Sequence, residues 1–215
     1  MKSFQPELVY DRLAPFYDAW TLLTEKRPQL EALKAADLEP GESVLEVAVG
    51  TAMLLAQIMQ VPGLRLCVGM DLSSGMLGRA RQRLVSTLGQ GGQLCKADAR
   101  RLPFPDGAFD AILSCYMLDL LSEEDIPIVL GEFQRVLNCR GRLVLVNMAR
   151  QSGAFNKIWM GIYRRSPSLV GGCRPVIVSP VLESGGWRLD RDEIITQNGF
   201  RSELIVARPM GRTKS

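Results

Sequence analysis

Val44-Leu45-Glu46-Val47-Ala48-Val49-Gly50-Thr51-Ala52 is the stretch on which the fold turns. Its first half is a short apolar run with the length of a buried strand. Its second half puts small residues at the alternate positions 48, 50 and 52, where such a strand would bend into a helix. A turn of that composition lets a ligand come close to the backbone and meet the free amides of a helix N-terminus. Glu46 stands just ahead of it. A pyrophosphate brought to this turn would be repelled by that acid, whereas an ammonium would be attracted. The full GxGxxG pattern is missing and so is GK[ST], which counts against dinucleotide and P-loop readings.

On the C-terminal side of this stretch, short apolar runs alternate with helical ones, the pattern of βαβ units around a parallel sheet. Strands are expected at 43–47, 65–70, 93–97, 109–115 and 142–147, with helices at 53–59, 73–88 and 123–137. Asp71 closes the second strand about 20 residues beyond Gly50, the interval at which an acid meets ribose hydroxyls in nucleotide-binding folds. Ahead of the sheet, Leu13, Phe16, Tyr17, Trp20 and Leu23 recur at helical spacing with an interruption near Pro15, and a second helix is expected from Pro28 to Ala36. After residue 147 a helix carries Phe155, Ile158, Trp159, Ile162 and Tyr163 on one face, followed by Arg164 and Arg165. That face either packs over the active site or lies against a membrane surface, and packing is the simpler reading. Ser179-Pro180 opens a short helix ending at Gly185-Gly186, and Asn198-Gly199 joins two extended runs into a terminal β-hairpin.

Composition narrows the function classes. The 215 residues suit one substantial core, and the net charge of +3 comes from basic residues spread along the chain, so a nucleic-acid partner is not expected. The five cysteines are widely separated, odd in number and lack CxxC spacing, which argues against a disulfide framework or a zinc site and for a reducing compartment. No signal peptide and no run of roughly 18 apolar residues stands out, so the expected location is the cytoplasm. Histidine is absent, which excludes histidine-based triads and metal sites.

Taken in order, these motifs resemble the class I S-adenosylmethionine (SAM)-dependent methyltransferases, in particular the group of quinone-biosynthesis C-methyltransferases and bacterial phosphatidylethanolamine N-methyltransferases. Glu46 to Ala52 matches the acidic-x-Gly-x-Gly-x-Gly loop, and Asp71-Leu72-Ser73-Ser74-Gly75-Met76-Leu77 resembles the ribose-binding segment. Lys96-Ala97-Asp98-Ala99 with Leu102-Pro103-Phe104 resembles the adenine-binding segment, and Phe109 to Ser114 the fourth strand. The resemblance implies an α/β, Rossmann-like seven-stranded sheet with a reversed last strand, helices on both faces and an N-terminal helical lid. It implies one domain over 1–215, with a cap at 1–40, a SAM-binding core at 41–150 and acceptor-side elements at 151–215. It also implies that Glu46 or its neighbouring backbone faces the SAM amino group, with Ala48, Gly50 and Thr51 in the methionine turn and Asp71 on the ribose. Leu72 and Met76 would line the adenine pocket, Asp98 and Ala99 would bind the adenine edge, and Ser114 would lie beside the sulfonium. Alanine stands at 48 and 52 where the family usually has glycine, and each added methyl tightens the turn.

Methyl transfer needs a nucleophile held in line with the sulfonium carbon, so positioning and exclusion of water lower much of the barrier. An acceptor that needs a base would draw on Tyr17, Tyr116 or Asp119. The expected acceptor is a small molecule or a lipid-like one, and the expected product is S-adenosylhomocysteine (SAH). The quinone enzymes' N-terminal signature contains a histidine that this chain lacks, so a different small molecule or an amino-lipid is the better-fitting acceptor at this point. Two other readings remain at this point: a SAM-binding but catalytically silent partner protein, and a nucleotide-dependent oxidoreductase.

Overall fold

The computed structural model describes residues 23–150, 153–165 and 172–210. The first helical segment with Tyr17, and therefore the expected lid, lies outside the described residues, as do the side chains of Phe155 and Ile158. The elements are α1 (Lys26–Ala36), β1 (Ser43–Val47), α2 (Leu55–Ile58), β2 (Leu66–Asp71), α3 (Ser74–Leu88), β3 (Gln93–Lys96), β4 (Phe109–Cys115), a 3-10 turn (Leu118–Leu120) and α4 (Asp125–Val136). They continue with β5 (Leu137–Met148), α5 (Gly153–Arg165), α6 (Ser179–Ser184), β6 (Trp187–Gln197) and β7 (Phe200–Pro209).

The strands form one seven-stranded sheet in the order β3-β2-β1-β4-β5-β7-β6. The first five are parallel, and β7 enters antiparallel between β5 and β6. The expected fold with its reversed last strand is therefore present. β5 is longer than expected, because Leu137 leaves α4 directly in extended conformation with no connecting loop. The hairpin turn follows its sequence signal: Asn198 and Gly199 take φ of 49° and 81°, the left-handed pair of a type I′ turn.

Local chemistry sets the element boundaries. Ser73 caps α3 by accepting from the Met76 amide at 3.1 Å, and Gly89 ends it in the left-handed region. Arg142, buried on β5, binds the last carbonyls of α1 at Ala36 and Asp37 and pairs with Glu42 at 2.7 Å, so that helix is fastened to the sheet through its C-terminus. Apolar side chains fill both faces. Leu45, Ile112 and Leu145 meet Phe133 of α4 and Leu182 of α6 on one side, while Val44, Leu113 and Val146 meet Ala32 and Ala36 of α1 on the other. The central strands β1 and β4 are buried on both faces, which is why they read as continuous apolar runs. Among the described residues no helix is long and apolar enough to cross a membrane.

Candidate active site

The parallel strands all deliver their C-terminal ends to one edge of the sheet, and ligands of open α/β sheets bind at that edge. Here the turn from β1 to α2 carries Ala48, Gly50 and Ala52 at φ of 60°, 53° and 60°. Both alanines thus hold the backbone conformation that glycine takes freely, at a cost of about 1 kcal/mol or more each. The turn is fastened from below, where the Val49 amide donates to Met70 O at 2.9 Å. Gly69 of β2 makes this closeness feasible, since a Cβ there would fall 2.6 Å from Leu55 Cδ2 and 2.9 Å from Val49 Cγ2.

Asp71 joins the two loops. One carboxylate oxygen accepts from the Gly50 amide at 2.9 Å and the other from the Ser73 amide at 2.8 Å. Around it lies a cavity lined by Ala48, Gly50, Asp71, Leu72, Met76, Asp98 and Ala99, which the structure brings together as the sequence motifs imply. With its mouth the cavity takes in about 810 Å³. Past Asp71 the wall is apolar and comes from the end of β4, with Cys115, Tyr116, Met117, Leu120 and Leu121. Asp98 sits at the rim with its carboxylate engaged by Arg100 at 2.7 Å, and that hydrogen bond holds its pKa below the ordinary value.

Glu46 occupies a smaller recess beside the turn with Gln29, Thr51, Met53 and Cys115. It is 4 % exposed, and among the described residues its Oε2 has no hydrogen-bond partner. Burial, reinforced by the charge of Asp71, pushes its pKa well above the ordinary carboxylate value. A cation placed here would satisfy the stranded oxygen and lower that pKa.

Three of the other candidates stand differently from the sequence expectation. Ser114 is 1 % exposed, does not line the cavity and has no Oγ partner among the described residues; it pairs with Val47 and Leu145 in the sheet, and Cys115 is the β4 residue at the cavity wall. Tyr116 lines the cavity, but its hydroxyl shares a 2.7 Å hydrogen bond with Ser202 Oγ in the core, and burial raises its pKa well above the ordinary value against the lowering effect of that bond. A phenol held there in neutral form is poorly suited to accept a proton. Asp119 lies in the 3-10 turn, fully buried, with Oδ2 accepting from the Met148 amide at 3.1 Å and Oδ1 unpartnered. Desolvation pushes its pKa up to about 7, against the lowering effect of the Met148 amide.

The apolar cavity wall from Met117 to Leu121 was not picked out from the sequence, because an apolar run after a strand carries no motif; its position at the C-terminal end of a central parallel strand was the available signal. On α5, Trp159 packs against Phe200 with ring centroids 6.3 Å apart and donates to Cys173 O, while Ile162, Arg164 and Arg165 are exposed. Among the described residues no group of cysteine, aspartate and glutamate side chains could hold a metal ion.

A family model described as a methyltransferase domain matches residues 44–141. The chain is 31 % identical over 170 residues to a demethylmenaquinone methyltransferase of Thermus thermophilus, covering 76 % of each chain. It is 33 % identical over 168 residues to a 2-phytyl-1,4-naphtoquinone methyltransferase of Synechococcus elongatus, covering 73 % of this chain and 69 % of that one. Among solved structures, the magnesium protoporphyrin IX methyltransferase of Synechocystis with bound SAH superposes with a TM-score of 0.65 at 18 % identity, over 94 % of this chain and 84 % of that one.

Proposed function

This chain belongs to the class I SAM-dependent methyltransferases, and from that premise we propose that the small molecule it methylates is a hydroxylated aromatic of the quinol class. The observation that carries the reading is the cavity itself, with the Asp71 carboxylate at one end and an apolar wall from Met117 to Leu121 at the other. Among the described residues no basic side chain lines it, so none of them offers an anionic acceptor a counterpart, whereas the apolar wall suits a flat apolar ring. The two relatives named for naphthoquinone-type substrates support the same class. Neither a silent SAM-binding partner nor an oxidoreductase is favoured by these relatives.

The residues present fit the cofactor. Glu46, with its stranded buried oxygen, suits the methionine ammonium, and the backbone of Ala48, Gly50 and Thr51 suits close approach of the methionine chain. Asp71 presents its carboxylate to the cavity on the ribose side, Leu72 and Met76 offer apolar surface to the adenine, and Asp98 and the Ala99 backbone suit its polar edge. SAM supplies a methyl group on a sulfonium, open to displacement by a nucleophile in line with it. What the chain adds is placement and dryness: the wall from Cys115 to Leu121 keeps water from the acceptor face and orients the ring. Asp119, in the turn that follows the cavity wall, is a buried carboxyl whose pKa burial pushes up to about 7, which makes it the candidate to take up the proton that a quinol releases.

Calorimetric titration with SAM, SAH and NADH tests the cofactor assignment. Binding of the two sulfur ligands, with none of NADH, is the expected result. Asp71→Ala removes the acceptor that fastens the Gly50 and Ser73 amides and should weaken SAH by about tenfold or more. Unchanged SAH affinity in that variant would overturn the placement of the ribose. Mass-spectrometric detection of a methylated product from a reduced naphthoquinone tests the acceptor class.

A further inference from the structure

Glu46 interrupts a strand whose neighbouring residues Val44, Leu45 and Val47 are apolar and buried. Strand alternation puts it on the face that carries Val44, the face that Ala32 and Ala36 of α1 cover. One turn before Ala32, Gln29 of α1 lines the recess that Glu46 shares with Ala48, Gly50, Thr51 and Cys115. Ala48, Gly50 and Cys115 line the main cavity as well, so the recess and the cavity meet at the turn from β1 to α2.

The groups facing Glu46 are neutral or carry its own sign. Asp71, at the end of β2, opposes a second negative charge beside it. Gly69 and Leu113 flank Glu46 in the sheet without charge. Cys67 on β2 and Cys115 on β4 are thiols whose pKa is pushed up by burial first and then by the charge of Glu46, that of Cys67 to about 12. Glu25, buried just ahead of α1, opposes ionisation of Cys115 too. From α1 the recess receives the uncharged Gln29, and among the described residues no lysine or arginine lines it. An ionised carboxylate buried without a cation, with Oε2 stranded, is costly, and a carboxyl so placed keeps its proton instead.

We infer that Glu46 is a proton switch tied to the cofactor: a neutral acid in the ligand-free protein, it gives up its proton on pairing with the ammonium of SAM or SAH. The proton goes to solvent, the carboxylate keeps the electron pair and holds the ammonium, and Glu46 takes a proton back when the product leaves. Release and uptake balance over a turnover and need no other reactant. This rests on the cofactor reading and adds a linkage to it: affinity for SAM and SAH climbs with pH until Glu46 ionises unaided. A nucleoside without the amino-acid end leaves Glu46 neutral, so its binding is indifferent to pH in that range.

Calorimetric titration of SAH into the full chain at about pH 6, in two buffers of different ionisation enthalpy, counts the protons released; an ordinary glutamate is already ionised at that pH and releases none. Close to one proton per SAH is expected, and SAH affinity should rise about tenfold between about pH 5.5 and 6.5. 5′-Methylthioadenosine, which keeps the nucleoside and lacks the amino group, should release none. Glu46→Gln has the shape of the neutral acid and should therefore keep the fold, weaken SAH by about tenfold or more, and abolish both the proton release and the pH dependence. SAH binding without proton release, equal release with 5′-methylthioadenosine, or release that survives in Glu46→Gln overturns the switch. Failure of SAH to bind the wild type at any pH is a different result, which overturns the cofactor reading and the switch with it.

Discussion

Ala48 and Ala52 hold a glycine backbone without being glycine, so the turn keeps its shape against a steric penalty. Ala48 is half-buried at the cavity, and its methyl is the part of this strain that can be removed without opening a hole in the core, whereas Ala52 is fully buried. Ala48→Gly should raise the unfolding free energy by about 0.5–1 kcal/mol, the relieved strain less the added freedom of glycine in the unfolded chain. Urea denaturation reads this directly. A loss of stability would show instead that the Ala48 methyl packs favourably against its neighbours.

Between elements, Arg135 of α4 is the clamp on the adenine-side loop. Its guanidinium donates to Phe104 O at 2.8 Å and Leu102 O at 3.0 Å and pairs with Asp106 at 2.9 Å, while its partner Glu132 accepts the Leu102 amide at 2.7 Å. Arg135→Ala should cost about 2 kcal/mol in thermal or denaturant unfolding, within the range for charge-assisted hydrogen bonds to buried groups. It should also weaken SAH, since Asp98 and Ala99 lead into the same loop; unchanged SAH affinity would uncouple the clamp from the cavity. The strands and turns were legible because β1, β4 and the Asn198-Gly199 hairpin each obey a local rule of burial or left-handed geometry. Asp71 was legible for the same reason, as an acid at a strand end a fixed distance past a small-residue turn. What could not be read were contacts made across the sheet: the Tyr116 hydroxyl on Ser202, the Asp119 carboxylate on Met148, and the pairing of Asn147 with Glu203 join residues far apart in the chain. Ser114 shows the limit of strand reading, because a shift of one residue decides whether a side chain meets the core or the cavity.

For the whole molecule, two sets of carboxyls act in opposite directions on stability. Glu42, Asp98 and Glu132 are held below their ordinary pKa values by the arginines they contact, so the stability they contribute is present above about pH 4 and is lost as the pH falls below it. Glu46, Asp119 and Glu203 are raised by burial, so the native state binds their protons more tightly than the unfolded chain does, and stability falls as the pH rises from about 4 towards 7. With no histidine to titrate between them, stability should peak near pH 4–5 and decline towards neutrality. Asp119→Asn should flatten the upper limb by up to about 1.4 kcal/mol per pH unit, measured as denaturant unfolding across that range. A curve as steep as that of the wild type would mean that Asp119 is ionised at little cost.

The bond between Tyr116 and Ser202 ties a wall of the cavity to the last strand. Every other strand that borders the cavity is complete by Cys115, yet the tyrosine ring is braced by Phe200 and Ser202, some 85 residues later. During synthesis the cofactor-side loops can therefore form long before the surface they face has its backing. A nascent chain stopped short of β7 has the loops for SAM and lacks the brace behind the wall, so the cavity gains its full backing only once β7 has been made and packed.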